Sequence, residues 1–350
     1  MRRNATAISK VIIICIFIAM LLSYFVSCGN ASPQSQTVFE FFDTSSTIMS
    51  YANDTEKEFE ANCDAVFSLL EEYHKLFDIY HEYSSVNNLC TVNKNAGIAP
   101  VQVDQKLIDF LVYAIDICKR CDLETNIAMG AALRLWHDAR TAAGDGGEAY
   151  VPNQAELEVA SQHTNIESIV IDRDNMTVYI TDPYASIDVG AIGKGYAVMK
   201  AAELLRERGA SSYVLDIGGN ICAIGQKPDG NGWITGITHP DGKAEFAARI
   251  EISNVSCVTS GDYERFYTVN GVRYHHIIDK DTLAPSTHFS SVSVVCKDSA
   301  LADALSTALF CMSYRDGMDL ISEFGNVEVL WIYPSGEMEM TDGFKDMLLD

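Results

Sequence analysis

The sequence is poor in basic residues: 25 lysines and arginines stand against 48 aspartates and glutamates, giving a formal net charge of −23 over 350 residues. Such a surface repels nucleic-acid phosphates, so we expect no nucleic-acid partner. Apolar residues form 48% of the chain and charged residues 21%, as in a globular protein rather than a disordered one. A small phosphate-containing ligand stays compatible with this charge if a cation or local donors accompany it.

The sequence also lacks an apolar run of ordinary membrane-spanning length. The main run, residues 11–26, is about 16 residues long where a spanning helix needs about 20, and it follows three basic residues. This arrangement is typical of a secretory signal, and the Ser-Cys-Gly at its end resembles a bacterial lipobox centred on Cys28. We therefore predict a lipoprotein signal over residues 1–27, a flexible tether over 28–37, lipidation of Cys28 and an extracytoplasmic, membrane-anchored protein. An uncleaved anchor and ordinary secretion are the alternatives.

Clustered cysteines are nearly absent. A single Cys-x-x-Cys pair, Cys118 and Cys121, lies inside a helical pattern, and no second pair accompanies it, so the spacing does not favour zinc. Export would permit disulfides, but cysteines this widely spread are not the framework of a small disulfide-rich domain. We predict buried free thiols.

Helical and strand patterns follow one another irregularly. Apolar spacing predicts helices over 56–79, 104–121, 127–138, 194–209 and 301–310. Short β-rich runs predict strands over 168–172, 177–181, 185–190, 211–220, 327–334 and 336–340. Such a mixture without regular βα alternation favours an α+β fold over a doubly wound sheet.

The helix predicted over 301–310 carries oxygen atoms on an otherwise apolar surface. Asp303, Ser306 and Thr307 are spaced i, i+3 and i+4, so they share one face. Buried hydroxyls and a buried carboxylate are costly without partners. Either water reaches this face, or a ligand there requires oxygen atoms.

Several polar segments could form a site. In residues 187–197, glycines and Lys194 fill the turn before a helix, where backbone amides suit a phosphate, although the spacing fits neither GxGxxG nor a P-loop. A phosphate site and a plain strand–helix connection both stay open, and the segment 258–267 can equally be a solvated turn. His275 and His276 point to opposite faces of a strand, so one of them faces inward, as a core or a catalytic histidine.

Taken in order, these segments resemble the ApbE family of FAD:protein FMN transferases. The matching stretches are IDVGAIGKGYA, LDIGGN, TSGDYER, HIID and ADALSTALF, preceded by FDTSSTI, LFDIY and NIAMGAALRLW. The resemblance runs from about residue 40 to the end. It implies one transferase domain over 38–350, with an α+β architecture of mixed or antiparallel sheets and packed helices related to the T-fold.

The resemblance also implies a site for FAD as substrate, with Mg²⁺ at the pyrophosphate. The implied metal ligands are Asp303, Thr307 and the backbone carbonyl of Ala191, with Ser306 adjacent. The implied FAD contacts are Tyr80, Glu124, Thr125, Asn126, Asp188, Lys194, Ile277 and also Phe42. His276 is the implied candidate for proton transfer. Departures from the family pattern are Lys280 for Pro, Leu283 for Gly, Asn126 for Asp and Ala128 for Thr.

The implied reaction is attack of a Thr or Ser hydroxyl on the FMN-side phosphorus of FAD, with loss of AMP. No acceptor motif stands out in this chain, so the acceptor is expected to be a separate exported protein. Two alternatives stay open: a metal-dependent FAD pyrophosphatase that uses the same residues, and an FAD-binding lipoprotein without chemistry. The joint presence of Asp303, Thr307, Lys194 and His276 favours an enzyme, because a simple binder needs no metal ligands.

Overall fold

The computed structural model describes residues 33–52, 54–144 and 147–349. The predicted signal segment and Cys28 lie outside these ranges. Residues 34–37, expected in the tether, belong instead to an edge strand, because they pair with residues 47–50. None of the helices in the described ranges is long and apolar enough to cross a membrane.

The secondary structure is mixed. The strands are β1 (Gln34–Phe41), β2 (Thr44–Ser50), β3 (Val101–Gln102), β4 (Ile169–Asp172), β5 (Thr177–Ile180), β6 (Ser212–Ile217), β7 (Asn220–Gly225), β8 (Trp233–Thr238), β9 (Phe246–Ile252), β10 (Ser256–Gly261), β11 (Phe266–Val269), β12 (Val272–His275), β13 (Ser291–Cys296), β14 (Glu328–Ile332) and β15 (Met338–Met340). The helices are α1 (Glu56–Phe77), α2 (Leu89–Lys94), α3 (Gln105–Arg120), α4 (Gly130–Gly144), α5 (Gln154–Ser161), α6 (Gly193–Glu207), α7 (Ser299–Cys311), α8 (Tyr314–Ile321) and α9 (Asp342–Asp346).

An eight-stranded antiparallel sheet is the centre of the described ranges, in the order β1-β2-β6-β7-β10-β13-β14-β15. Both of its faces are covered, as alternate side chains of β10 show: Val258 lies in the main core with the helices, and Cys257 lies in a second core. Trp233 of β8 and Phe344 of α9 close that second core. An antiparallel sheet with packed helices confirms the predicted α+β class.

Helices α6 and α7 cover the first face of the sheet and pack against each other. Helix α7 is buried on almost every side, which explains its apolar composition. A side chain at Gly195 would overlap α7, since an added Cβ would lie 2.4 Å from the Ser299 carbonyl oxygen and 2.5 Å from the Asp303 Cβ. The glycine in GKG therefore allows the two helices to approach closely.

Most predicted elements are confirmed, and the eight cysteines of the described ranges are buried and free, as predicted. Two predictions are wrong. Residues 185–190 form no strand, because the Asn93 side chain takes both backbone groups of Ile187 and leaves a single bridge from Ser186 to Met129. The helix expected over 127–138 begins only at Gly130, since the Asn126 side chain holds the Ala128 amide in a turn.

Candidate active site

The predicted site residues converge on one open cleft of about 480 Å³. Its walls come from the turn before α6, the middle of α7, helix α4, strands β8 and β10, and the β11–β12 hairpin. The predicted residues that line it are Tyr80, Glu124, Thr125, Asn126, Asp188, Ala191, Lys194, His276, Ile277, Asp303 and Thr307. Phe42 and Ser306 do not line it.

The oxygen-bearing face of α7 reaches this cleft at the point where α6 begins. The Gly195 amide donates a 2.7 Å hydrogen bond to Oδ2 of Asp303, which is 5% exposed. Burial raises the pKa of the Asp303 carboxyl, and the positive charge of Lys194 opposes that shift. A buried carboxylate with so few hydrogen bonds and charged neighbours in the protein needs a further positive group nearby in order to stay charged.

Of the three oxygen-bearing side chains on this face of α7, Asp303 and Thr307 line the cleft, whereas Ser306 makes a structural contact. The Ser306 hydroxyl is fully buried and bonds to the Asp303 carbonyl and to the Ser260 hydroxyl, each at 2.8 Å. Ser306 therefore ties α7 to β10 and does not reach a ligand. Thr307, in contrast, lines the cleft, with its hydroxyl 3.4 Å from that of Ser260.

A divalent cation fits this part of the cleft by its donor chemistry. The Asp303 carboxylate, the Thr307 hydroxyl and the Ala191 carbonyl are hard oxygen ligands, which Mg²⁺ prefers. Within the described ranges no three His, Cys, Asp or Glu side chains group as a metal site. With its single carboxylate, the set has the composition of a half-site, which substrate phosphate and water would complete around Mg²⁺.

Lys194, whose charge acts on Asp303, is held in the cleft by the glycine turn between β6 and β7. Its ammonium lies 3.5 Å from the Gly218 carbonyl and 3.4 Å from Oδ1 of Asn220. Gly218 and Gly219 adopt φ of 57° and 83°, a conformation that glycine reaches without strain. These contacts are long, so Lys194 keeps donors for an anionic ligand.

The acidic residue at the start of the glycine turn also points into the cleft. Oδ1 of Asp188 accepts a 2.9 Å hydrogen bond from the Gly190 amide. Burial raises the pKa of Asp188, and the Gly190 bond and the charges of His137 and Arg140 oppose the rise.

The segment 124–126 is less available to a ligand than the resemblance implies. The Thr125 hydroxyl is committed to the Ala304 carbonyl at 2.7 Å, and the Asn126 amide is used at both ends, by Thr164 and Ala128. Only Glu124 keeps a charged group at the cleft, paired with Lys280 at 3.1 Å. Burial raises the pKa of Glu124, and the charge of Lys280 opposes this rise. Lys280, which stands where the resembled family has proline, therefore pairs directly with a residue of the site.

The two adjacent histidines divide as the strand pattern predicts. His275 is buried and its Nε2 lies 2.8 Å from the Ser286 carbonyl. Nδ1 of His276 lies 3.3 Å from the Arg265 carbonyl, which can only accept, so Nδ1 carries the proton and Nε2 is free. Burial, followed by the charges of Arg265 and Arg140, lowers the pKa of His276 to about 3. The imidazole is therefore neutral.

Near the mouth, the half-exposed Tyr80 ring stacks on His137 with centroids 4.8 Å apart. Phe42 does not line the cleft: its backbone amide donates to Nδ1 of His74, and its neighbours Asp43 and Thr44 reach the cleft instead.

One wall of the cleft was not predicted from the sequence. Helix α4 contributes Leu133, Trp136, His137 and Arg140, and the structure adds Thr235–Thr238, Tyr267 and Tyr274. The α4 residues are spaced i, i+3, i+4 and i+7, so helical periodicity could have identified this face. Nothing in the sequence alone, however, shows that the β11–β12 hairpin lies opposite it.

Comparison with known proteins agrees with this geometry. The sequence model of the ApbE family matches residues 42–331. The FAD:protein FMN transferase of Treponema pallidum (strain Nichols) is 32% identical over 311 residues, which cover 85% of this chain and 83% of that protein. The protein of the same name from Vibrio cholerae is 30% identical over 79% of both chains. The crystal structure of the ApbE protein from Thermotoga maritima superposes with a TM-score of 0.78 at 26% identity, covering 91% of this chain and 100% of that one. This chain belongs to the ApbE family.

Proposed function

We propose that this protein is a transferase that moves FMN from FAD to a threonine or serine hydroxyl of a separate exported protein and releases AMP. The observation that carries the proposal is the meeting of the Asp303–Thr307 face with Lys194 and the neutral His276 in one cleft. The name FAD:protein FMN transferase, shared by relatives that cover most of the chain, supports FAD as the substrate.

His276 is suited to take the proton of the attacking hydroxyl. Its free Nε2 accepts that proton while the hydroxyl oxygen bonds to the FMN-side phosphorus and the bond from this phosphorus to the bridging oxygen breaks. AMP leaves with the bridging oxygen. A bound pyrophosphate raises the basicity of the imidazole, because its negative charge offsets those of Arg140 and Arg265.

We propose Asp303, Thr307 and the Ala191 carbonyl as the residues that would hold Mg²⁺. When bound, Mg²⁺ supplies charge neutralisation at the pyrophosphate. Lys194 adds a positive charge beside the same group. Binding of Mn²⁺ as a spectroscopic substitute, followed by electron paramagnetic resonance, tests the half-site: affinity should rise when FAD is added and should fall at least tenfold in Asp303→Asn. Equal Mn²⁺ binding by the wild type and this variant would remove the assignment.

The transferase proposal is tested by incubating the protein with FAD, Mg²⁺ and an exported acceptor domain produced in cells without flavin transferase. Acceptor mass and free nucleotides are measured together. Transfer gives an acceptor heavier by one FMN less one water, with AMP released, and Asp303→Asn abolishes both signals. Free FMN and AMP with an unmodified acceptor would mean a pyrophosphatase, and intact bound FAD would mean a binding protein.

We further propose removal of residues 1–27 and lipidation of Cys28, which the lipobox-like sequence supports. Labelled palmitate should be incorporated into the wild type and into Cys15→Ala, but not into Cys28→Ala. Equal labelling of Cys28→Ala would exclude this anchor.

A further inference from the structure

The β11–β12 hairpin presents a second functional surface to the cleft, next to His276. Arg265, which directly precedes β11, and Tyr267 are spaced i, i+2 and so share one face of the strand. Tyr267 pairs with Tyr274 across the hairpin, and the His276 amide donates to the Arg265 carbonyl at 3.1 Å. These four side chains therefore line the cleft together.

Helix α4 packs against this face and adds a second guanidinium. The Trp136 ring stacks on Tyr274 with centroids 5.8 Å apart, and the indole N–H donates to the Leu283 carbonyl at 2.9 Å. Arg140 follows Trp136 by four residues, so it lies one turn further along the same face of α4. Arg140 and Arg265 thus approach the cleft from opposite walls.

The guanidiniums of Arg140 and Arg265 form no salt bridge in the described ranges, and the Asp188 carboxylate acts on Arg140 only from a greater distance. Across the described ranges, no carboxylate lies within 4 Å of either guanidinium, although the protein as a whole is strongly acidic. Burial, followed by the charge of Arg265, lowers the pKa of Arg140, and the charge of Asp188 opposes this shift. Arg265 has one weak contact, from Nη2 to the Phe42 carbonyl at 3.4 Å.

A buried phenol completes the surface. Tyr267 is 8% exposed, and its hydroxyl has no hydrogen-bond partner within the ranges that the structure describes. A buried O–H without a partner is destabilising, so its retention beside two guanidiniums that form no salt bridge points to an oxyanion ligand that all three groups contact.

We infer that Arg140, Arg265 and Tyr267 bind the oxygens of the FMN-side phosphate of FAD, the group that is transferred. This inference rests on the proposed function, because it takes the position of the phosphate from that of the proton acceptor. His276 must lie beside the hydroxyl that attacks this phosphorus, and its imidazole is fixed to the backbone of Arg265. The guanidiniums flank the same imidazole, and so they face the oxygens on which charge is redistributed during transfer.

The test compares binding of FMN and riboflavin, which differ by the phosphate, to the full-length protein by flavin fluorescence. We expect Arg140→Met to weaken FMN binding about 10- to 100-fold, because the variant loses one or two charge-assisted hydrogen bonds to the phosphate. Tyr267→Phe should weaken FMN binding less. Riboflavin binding should stay within twofold. Arg134→Met is the matched control, because Arg134 lies on the same helix with its side chain 79% exposed. Its FMN binding should not change.

Equal losses for FMN and riboflavin in Arg140→Met would overturn the inference, since the residue would then act on the ring or on the fold. Normal binding of both flavins, combined with slower transfer only to acceptors that have acidic residues near the hydroxyl, would also overturn it and assign the guanidiniums to the acceptor. Selective loss of FMN binding supports the phosphate site even if no acceptor is ever modified, which separates its outcome from that of the proposed transfer.

Discussion

Gly195→Ala tests the close packing of α6 and α7 that brings Asp303 and Thr307 to the cleft. The added methyl would lie 2.4 Å from the Ser299 carbonyl oxygen, 2.5 Å from the Asp303 Cβ and 3.0 Å from the Ala300 Cα. Two of these atoms are backbone, so α6 and α7 must separate. Overpacking costs about 1–3 kcal/mol, and a weakened Gly195–Asp303 hydrogen bond adds about 1.5–3 kcal/mol. The helix propensity of alanine returns about 1 kcal/mol.

The free energy of unfolding should therefore fall by about 1.5–5 kcal/mol, measured by urea denaturation. Activity should fall further than the folded fraction explains, because Asp303 moves with α7. Gly144→Ala is the matched control: it is also helical, nothing lies within 4 Å of an added Cβ, and stability should stay equal or rise by up to about 1 kcal/mol. An unfolding free energy for Gly195→Ala within about 0.5 kcal/mol of the wild type, with normal activity, would refute this reasoning.

Three further predictions follow from single residues. The pKa of His276 falls from 6.5 to about 3 on folding, so between these pH values the unfolded chain binds a proton that the folded chain does not. The free energy of unfolding, measured by urea denaturation, should therefore decline as the pH falls from 6.5 to 3. The decline should be less steep in His276→Gln. Leu283 has a φ of 57°, and its replacement by glycine relieves backbone strain of about 1–2 kcal/mol but removes a buried side chain that contributes about 2–5 kcal/mol to stability. Thermal unfolding should therefore show that Leu283→Gly is less stable than the wild type, and a more stable variant would contradict this balance. Lys280→Met leaves Glu124 without its partner, which should raise the pKa of that carboxyl and the KM for FAD while Lys297→Met changes neither; an unchanged KM would argue against a role for the pair.

Local sequence patterns were sufficient for the elements and for the centre of the site. Apolar periodicity predicted helices α6 and α7, and Gly209 marked the end of α6. The spacing of Asp303 and Thr307 identified their common face, and the structure places that face at the cleft. Strand alternation predicted that one of the two adjacent histidines faces inward, and His275 is the buried one, although both line the cleft.

Tertiary contacts decided what the sequence could not. Whether a hydroxyl is free depends on a distant partner, such as Ala304 for Thr125 and Ser260 for Ser306. The strand expected over 185–190 failed for the same reason, since Asn93, about 90 residues away, takes the backbone groups of Ile187. Arg140 was missed because its neighbours in the site come from a hairpin more than 120 residues further along the chain.

The attack of a protein hydroxyl on the FMN-side phosphorus is tested most directly by running the reaction in ¹⁸O-labelled water and measuring isotope content by mass spectrometry. We predict an FMN-modified acceptor and AMP that are both unlabelled, because the attacking oxygen comes from the acceptor and the bridging oxygen leaves with AMP. Label in free FMN, with no modified acceptor, would show that water is the nucleophile. Label in AMP would show attack at the other phosphorus, and either result would contradict the proposed transfer.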